Sequence, residues 1–294
     1  MRQIRKRRVR SRVDDKIIDG YFPFAFPGVL VAEEVKALVG TMRVTVEKLV
    51  IQLLPKAAER AIVPMSGYKI GAISRGVSGN LYFGANIEFK GEALNTTVHA
   101  EQTSIALALS HGEKGLRAMT INAPPCGHCR QFMNEINTAD ELTIQTSNQS
   151  IIPFKTLLPD DFGPQHLNIE CRLMDGQLQS LVLEKQSDDP IIAKALTAAN
   201  MSYAPYSLCH AGMAIETQNG EVYMGIYAEN AAYNPSLQPL QAAIANMIMT
   251  GKTYGDIKKA VLVQKREANI DLSKSTHQLL KSISNIPLIV EYAE

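Results

Sequence analysis

The sequence predicts an α/β fold used twice: a duplicated α/β/α sandwich whose mixed sheet has helices on both faces, behind a small helical N-terminal segment. The first observation is an internal repeat, because residues 64–88 align without a gap on residues 205–229 with seven identical positions. Unrelated sequences of this length would share about one or two. The second observation is that helical and strand patterns alternate in the same order in both stretches, which is typical of a sheet covered by helices.

The repeat divides the chain into four parts. These are an N-terminal segment (1–45), a first unit (46–155), a connection (156–189) and a second unit (190–294). With a length difference of two residues, 98–112 also aligns on 237–251. The identical pairs are Pro64/Pro205, Ser66/Ser207, Gly71/Gly212, Gly79/Gly220, Tyr82/Tyr223, Gly84/Gly225, Glu88/Glu229, Gln102/Gln241, Ile105/Ile244, Ala106/Ala245 and Gly112/Gly251.

Each unit is predicted to begin with a helix and a β-hairpin, followed by a second helix and a strand. Turns at Gly79 and Gly220 join the hairpin strands, and Asp189 caps a helix with Pro190 in its first turn. In the first unit a further helix starts near Cys126. The predicted elements are helices 46–61, 99–109, 190–200 and 239–249 and strands 69–75, 81–83, 118–122, 142–145, 211–216, 221–224 and 259–263.

Composition and charge describe a globular protein. Apolar residues make up 46% and charged residues 20%, and the net charge is +1. No stretch reaches the roughly 18 uncharged apolar residues of a membrane span, and no apolar signal core opens the sequence, so we expect a cytoplasmic protein without a membrane partner. The arginine-rich stretch 1–13 is expected to be a solvated arm, because no aromatic residue is interleaved for base stacking and Asp14 and Asp15 follow.

Two short motifs in the first unit carry groups that can bind a metal. His99 stands two residues before Glu101, and Cys126 and Cys129 follow Pro125 at a spacing of three. Zinc takes four nitrogen or sulfur donors, and a catalytic site keeps one position for water, so one imidazole and two thiolates leave that position open. Both motifs start helices, whose N-termini favour thiolates. A carboxylate close to the metal but outside its shell, here Glu101, can take a proton from water.

This order of His-x-Glu and Pro-Cys-x-x-Cys is typical of zinc deaminases of nucleobases. The sequence resembles the cytidine deaminase family, in its long two-domain bacterial form. The segments that match are 71–73, 83–89, 98–102, 126–134 and 227–230. The resemblance implies the duplicated sandwich of that family, one Zn²⁺ per chain held by His99, Cys126 and Cys129 in a catalytic first unit, and a homodimer in which the partner chain completes each pocket.

The resemblance also implies the reaction, which is hydrolytic deamination of cytidine and deoxycytidine to uridine and deoxyuridine in pyrimidine salvage. Zinc-bound hydroxide attacks C4 of cytosine after Glu101 accepts the water proton, and Glu101 passes that proton to N3 and assists the departure of ammonia. Asn86 and Glu88 hold the ribose hydroxyls. Free bases are then disfavoured, because they leave these polar groups unpaired.

Further substrate contacts are implied by the same resemblance. The ring of Tyr68 lies against the pyrimidine, and the backbone of Ala100 recognises the pyrimidine carbonyl. The carbonyl of Pro124 receives the amino group, a role that proline can fill because it keeps its C=O. Phe162 and Tyr233 are candidates for pocket walls that reach across the dimer interface.

The second unit lacks this set of groups. Gln238 and Leu240 stand where the first unit has its imidazole and its carboxylate, and no cysteine pair follows. We therefore expect neither a metal nor a general base there. The retained Glu229 is expected to be structural, hydrogen-bonding the turn after Gly225.

Two other functions remain open from the sequence. One is a deaminase of bases within RNA or DNA, which the ribose-binding pair Asn86 and Glu88 disfavours. The other is a zinc-stabilised binding module without turnover, which Glu101 and the open coordination position disfavour. We expect His128, inside the cysteine motif, not to bind the metal.

Overall fold

Two sheets, one in each half of the chain, form the framework. The computed structural model describes Gly20, residues 28–148 and residues 150–294, so the arginine-rich stretch lies outside the described residues. In the predicted N-terminal segment it places strand β1 (Val29–Leu30) and helix α1 (Ala32–Met42). The strand is not predicted from the sequence, because two residues are too few for a periodic pattern.

The first unit contains the predicted elements and one further short strand. They are α2 (Val46–Ala58), β2 (Gly71–Gly76), β3 (Leu81–Ala85), α3 (Ala100–Ser110), β4 (Leu116–Ile121), α4 (Gly127–Met133), β5 (Thr143–Thr146) and β6 (Ile151–Pro153). With β1 they form a sheet in the order β1-β3-β2-β4-β5-β6. Strands β4 and β5 run parallel and the other pairs antiparallel, so the mixed sheet is confirmed.

The second unit repeats the part of this arrangement from α2 to β5, and its described residues form no counterparts of β1 and β6. Its elements are α5 (Pro190–Asn200), β7 (Ala211–Thr217), β8 (Val222–Ile226), α6 (Pro239–Met249), β9 (Ile257–Lys265), α7 (Ser273–Ile283) and β10 (Leu288–Ala293). The strand order is β10-β9-β7-β8, with β10 parallel to β9. The sequence prediction stops at the strand that became β9, so α7 and β10 are additions. Here α7 follows β9 as α4 follows β4.

Glycines at repeated positions let the helices approach both faces of each sheet. A Cβ atom on Gly71 would lie 2.7 Å from a backbone nitrogen of α2, and one on Gly84 would lie 2.1 Å from the carbonyl oxygen of Ala100 in α3. Gly84 pairs with the residue after Gly71, so the two glycines face opposite sides of the sheet. Gly212 and Gly225 are equally crowded by α5 and α6. The sandwich of helices on both faces is therefore present twice.

The two units meet along a seam formed by α3 and α6, which pack on each other. The side-chain amide of Gln102 donates to the carbonyl of Pro235 over 3.0 Å, and that of Gln241 donates to the carbonyl of Thr96 over 2.8 Å. Because the two glutamines are equivalent in the repeat, these bonds are reciprocal across a pseudo-two-fold axis. Each unit of the duplicated chain therefore provides the surface on which the other unit packs.

We expect Gly84→Ala and Gly225→Ala each to lower the free energy of unfolding by about 1–3 kcal/mol, since the added methyl group must displace helix backbone. Gly40→Ala is the matched control. Gly40 lies inside α1 with no atom within 4 Å of the site of a Cβ, so alanine should raise stability by about 0.5–1 kcal/mol. Urea unfolding of the three variants checks this, and equal stabilities would contradict the close-approach explanation.

Among the described residues, no helix combines the length and the apolar character that crossing a membrane requires.

Candidate active site

The three predicted metal ligands come together at the starts of two helices. His99 is the residue before α3, Cys126 is the residue before α4, and Cys129 lies in the first turn of α4. The Nδ1 atom of His99 lies 3.2 Å from the sulfur of Cys129 and 3.4 Å from that of Cys126, and the two sulfurs are 3.6 Å apart. Their donor atoms thus form one compact triangle.

This triangle fits a zinc ion. Zinc–sulfur bonds of about 2.3 Å and zinc–nitrogen bonds of about 2.0–2.1 Å in tetrahedral geometry require donor separations of about 3.5–3.8 Å. The observed edges lie within a few tenths of an ångström of those values. Within the described parts of the chain, His99, Cys126 and Cys129 are the one group of three or more such side chains close enough to share a metal. His128 is not part of it, although its ring lies 5.2 Å from that of His99.

The charges around the triangle suit a metal and a proton carrier. Hydrogen bonds with Cys129 and His99 lower the pKa of Cys126 to about 3, so this sulfur is a thiolate at neutral pH. Glu101 lies in the first turn of α3 with 4% of its surface exposed. Burial raises the pKa of Glu101, and its carboxyl group interacts with the side chain of Cys129. A carboxyl group that holds a proton more readily than usual therefore lies against one of the metal donors.

Asn86 and Glu88 follow β3 and hold the exposed loop before β2. The amide of Asn86 accepts from the backbone of Ile70 over 2.9 Å and donates to the carbonyl of Tyr68 over 3.0 Å. The carboxylate of Glu88 accepts from the backbone N–H of Met65 over 2.9 Å and from the backbone N–H and the hydroxyl group of Ser66. Tyr68 itself is 64% exposed. These three predicted substrate contacts thus form one hydrogen-bonded group.

One stretch of backbone pairing connects this group with the metal donors. Ile87, between Asn86 and Glu88, pairs antiparallel with Val98, which immediately precedes His99. The two backbone hydrogen bonds measure 2.8 and 2.9 Å. The predicted ribose contacts and the first metal donor are therefore held side by side by main-chain bonds.

The remaining predicted substrate residues are less tightly gathered. Ala100 is buried at the start of α3, and Pro124 is exposed just before the cysteine motif. The ring of Phe162 is half-exposed and stacks on His166 at 5.3 Å, while its carbonyl accepts from Gln131 of α4 over 2.8 Å. Tyr233 is largely exposed in the second unit. Phe162 is thus tied to the cysteine helix of its own chain, and a role of either ring across an interface stays a prediction.

A residue that the sequence interpretation missed anchors α4 to the second unit. Glu135, two residues past the end of α4, is fully buried. Its carboxylate accepts from the hydroxyls of Tyr203, over 2.7 Å, and Tyr206, and from the amide of Asn230 and the backbone of Ala231, each over 3.0 Å. The available signal was weak: Glu135 follows the apolar pair Phe132 and Met133 and precedes Ile136, but two asparagines interrupt the pattern.

The second unit keeps the loop contacts of the first but not its metal donors. Glu229 accepts from the backbone of Tyr206 over 2.8 Å and from the backbone and hydroxyl of Ser207. Glu229 was predicted to hydrogen-bond the turn after Gly225, and this prediction is wrong. Its carboxylate bonds the loop before β7, because Tyr206 and Ser207 in that loop present N–H groups to it. Leu240 is fully buried at the position equivalent to Glu101.

Comparison with known proteins agrees with this geometry. Residues 44–145 and 154–277 each match the family description "Cytidine and deoxycytidylate deaminase zinc-binding region". Proteins named cytidine deaminase from Salmonella paratyphi A and Salmonella agona are 45% identical to this chain over 258 residues, covering 88% of it and 87% of their own length. The chain belongs to the cytidine deaminase family. It is a zinc-dependent hydrolase of that family.

Among solved structures, the crystal structure of cytidine deaminase from Mycobacterium tuberculosis matches with 29% identity and a TM-score of 0.37. The match covers 40% of this chain and 96% of that protein.

We expect purified protein to hold about one zinc ion per chain, and Cys129→Ser to lose most of it, because the hydroxyl is a poor replacement for a thiolate donor. Cys209→Ser is the matched control, since Cys209 is a buried cysteine of the second unit. Elemental analysis after dialysis measures both. Two ions per chain, or full zinc in Cys129→Ser, would contradict the assigned donor set.

Proposed function

We propose that the first unit (46–155) is the catalytic domain and converts cytidine and deoxycytidine, with water, to uridine and deoxyuridine with release of ammonia, as a step of pyrimidine salvage. The observation that carries this proposal is the set of three zinc donors beside Glu101, a buried carboxyl group on the helix that begins after His99. The second unit (190–294) has no such set among its described residues.

Each group has a role in the proposed reaction. His99, Cys126 and Cys129 would hold the zinc ion, which when bound would lower the pKa of a water molecule and so supply a nucleophile at neutral pH. Glu101 accepts the proton of that water as C4 of the cytosine ring is attacked. It delivers that proton to N3 and then carries the proton of the new C4 hydroxyl group to the amino group. The C4–N bond breaks, ammonia leaves and the C4 carbonyl forms, so both protons of the water are accounted for. Burial favours this shuttle, because it raises the pKa of Glu101 and the carboxyl group then takes up a proton more readily than a solvated one.

Substrate selection is assigned to the group beside the metal. Asn86 and Glu88 bind the ribose hydroxyls, and Tyr68 covers the pyrimidine ring. The backbone of Ala100 and the carbonyl of Pro124 recognise the edge of the base. Main-chain pairing of Ile87 with Val98 supports this assignment, since it fixes the sugar contacts at a constant distance from His99.

A substrate panel tests the proposal. The zinc-loaded protein is incubated with cytidine, deoxycytidine, CMP and a short cytosine-containing oligonucleotide, and conversion to the uracil forms is followed. We expect turnover of the two nucleosides and little of the others. Turnover of the oligonucleotide alone would assign the protein to nucleic-acid editing, and no turnover of any compound would leave a zinc-stabilised binding module.

We also propose a homodimer in which Phe162 and Tyr233 line the partner's pocket. Both rings are exposed in the single chain, as such a role requires. Sedimentation analysis of the zinc-loaded protein should give twice the chain mass of 32.3 kDa. A monomer that turns over cytidine at full rate would contradict this part of the proposal.

A further inference from the structure

A cavity of about 650 Å³ lies in the second unit, and Glu92, Ala93, Asn95 and Thr96 of the first unit form part of its wall. This volume lies in the range of small-molecule sites, about 300–1,000 Å³. Its walls include the tyrosines Tyr206, Tyr227 and Tyr233 and the side chain of Gln238. Helix α7 closes one side with Ser275 and its apolar neighbours.

The cavity occupies the place that the active site has in the first unit. Its lining residues Ser207, Glu229, Gln238 and Gln241 are the repeat equivalents of Ser66, Glu88, His99 and Gln102. The hydrogen bonds also match. Backbone donors bind the carboxylate at 2.9 and 3.1 Å in the first unit and at 2.8 and 3.1 Å in the second. The pairing of Ala228 with Leu237 repeats that of Ile87 with Val98.

The chemistry of the first unit is absent from this cavity. Gln238 replaces the histidine donor, Leu240 replaces the proton carrier, and β9 leads to α7 where the first unit has its cysteine helix. A molecule bound here would therefore keep its amino group.

The lining selects the kind of molecule. The charged side chains among the lining residues are Glu92 and Glu229, and none is lysine, arginine or histidine, so the wall would repel a phosphate. Asn234, Gln238 and Asn269 contribute side-chain amides to the wall, and each amide can both donate and accept a hydrogen bond. The ring of Tyr206 provides a flat surface. An uncharged, planar molecule with several hydrogen-bonding groups fits this wall.

We propose that the cavity of the second unit is a second binding site, which takes an uncharged nucleoside and does not deaminate it. The choice of a nucleoside, among neutral planar compounds, rests on the function proposed for the first unit. A nucleotide is disfavoured, because Glu92 and Glu229 in the wall would repel its phosphate. The site would respond to the concentration of substrate or product.

Counting uridine sites tests this inference, because uridine is the product of the proposed reaction and is not consumed. Equilibrium dialysis of labelled uridine against zinc-loaded full-length protein should give two sites per chain. Ser275→Trp, at an exposed helix position that lines the cavity, should leave one site with unchanged affinity. His277→Trp, exposed on the same helix outside the lining, should keep both. UMP should fail to compete at the site that Ser275→Trp removes.

A further variant separates the two proposals. Glu88→Ala should weaken uridine binding at the first site and leave the site that Ser275→Trp removes. One site per chain that Ser275→Trp leaves intact would overturn the inference while the proposed function stands. One site that Ser275→Trp removes and Glu88→Ala spares would support the inference and contradict the proposed function. The absence of uridine binding would overturn the inference.

Discussion

Glu101→Gln is expected to lower kcat for cytidine by at least about 10²–10⁴-fold, the usual contribution of a positioned acid–base group. Glutamine keeps the size of the side chain and can form hydrogen bonds, but it cannot carry a proton between water and N3. Because the three donors of the metal are unchanged, zinc content should stay at the native level. Steady-state kinetics together with elemental analysis measures both quantities on one preparation.

The comparison for this variant is Glu141→Gln, which alters an exposed glutamate of the same unit away from the metal donors. Its kcat should equal that of the native protein. If Glu101→Gln turned over cytidine as fast as this control, Glu101 would not be the proton carrier. If its zinc were lost, the drop in rate would reflect the metal and not the proton transfer.

Glu135→Ala is expected to lower the free energy of unfolding by about 3 kcal/mol, since buried donors lose their acceptor at about 1–3 kcal/mol each and a cavity is added. Tyr203 and Asn230 have second acceptors, in the carbonyls of Cys171 and Gln131. The backbone N–H of Ala231 and the hydroxyl of Tyr206 have Glu135 as their acceptor, so these two donors bear most of the loss. Urea unfolding measures the change.

Two variants define the cause of this effect. Glu135→Gln keeps the volume but turns an N–H group toward donors, so it should be destabilised as well, by less than alanine because no cavity forms. Glu141→Ala, at an exposed position shortly after, should stay within about 0.5 kcal/mol of the native protein. A stable Glu135→Ala would show that contacts along α3 and α6 alone hold the two units together.

The metal site was predictable because its chemistry is encoded over short distances. Cys126 and Cys129 share one helical turn, and the helix start at His99 places the third donor at the end of a neighbouring element. The repeated glycines likewise indicated two similar units, because a close approach of helix to sheet excludes a side chain at those positions. Local sequence patterns and the internal repeat were therefore sufficient to predict most of the fold and the three metal donors.

The junction at Glu135 was not predictable in the same way. Its partners Tyr203 and Ala231 lie 68 and 96 positions along the chain. No periodicity within a window of ordinary helix or strand length relates residues so far apart. The correct turn for Glu229 was missed for a similar reason, because its partners come more than 20 positions earlier. Such contacts follow from how the units dock, which the sequence pattern does not describe.

The seam between α3 and α6 has a consequence for which substitutions the chain can tolerate. Gln102 donates to a carbonyl of the second unit, and Gln241 donates to the equivalent carbonyl of the first. Each half therefore binds the other in the same way, independently of the reaction that it performs. The positions of the second unit that are equivalent to His99 and Glu101 carry other residues, Gln238 and Leu240, whereas its seam position keeps the same glutamine. In a chain with two such halves, the reactive residues of one half can change while the residues that pack the halves on each other stay the same.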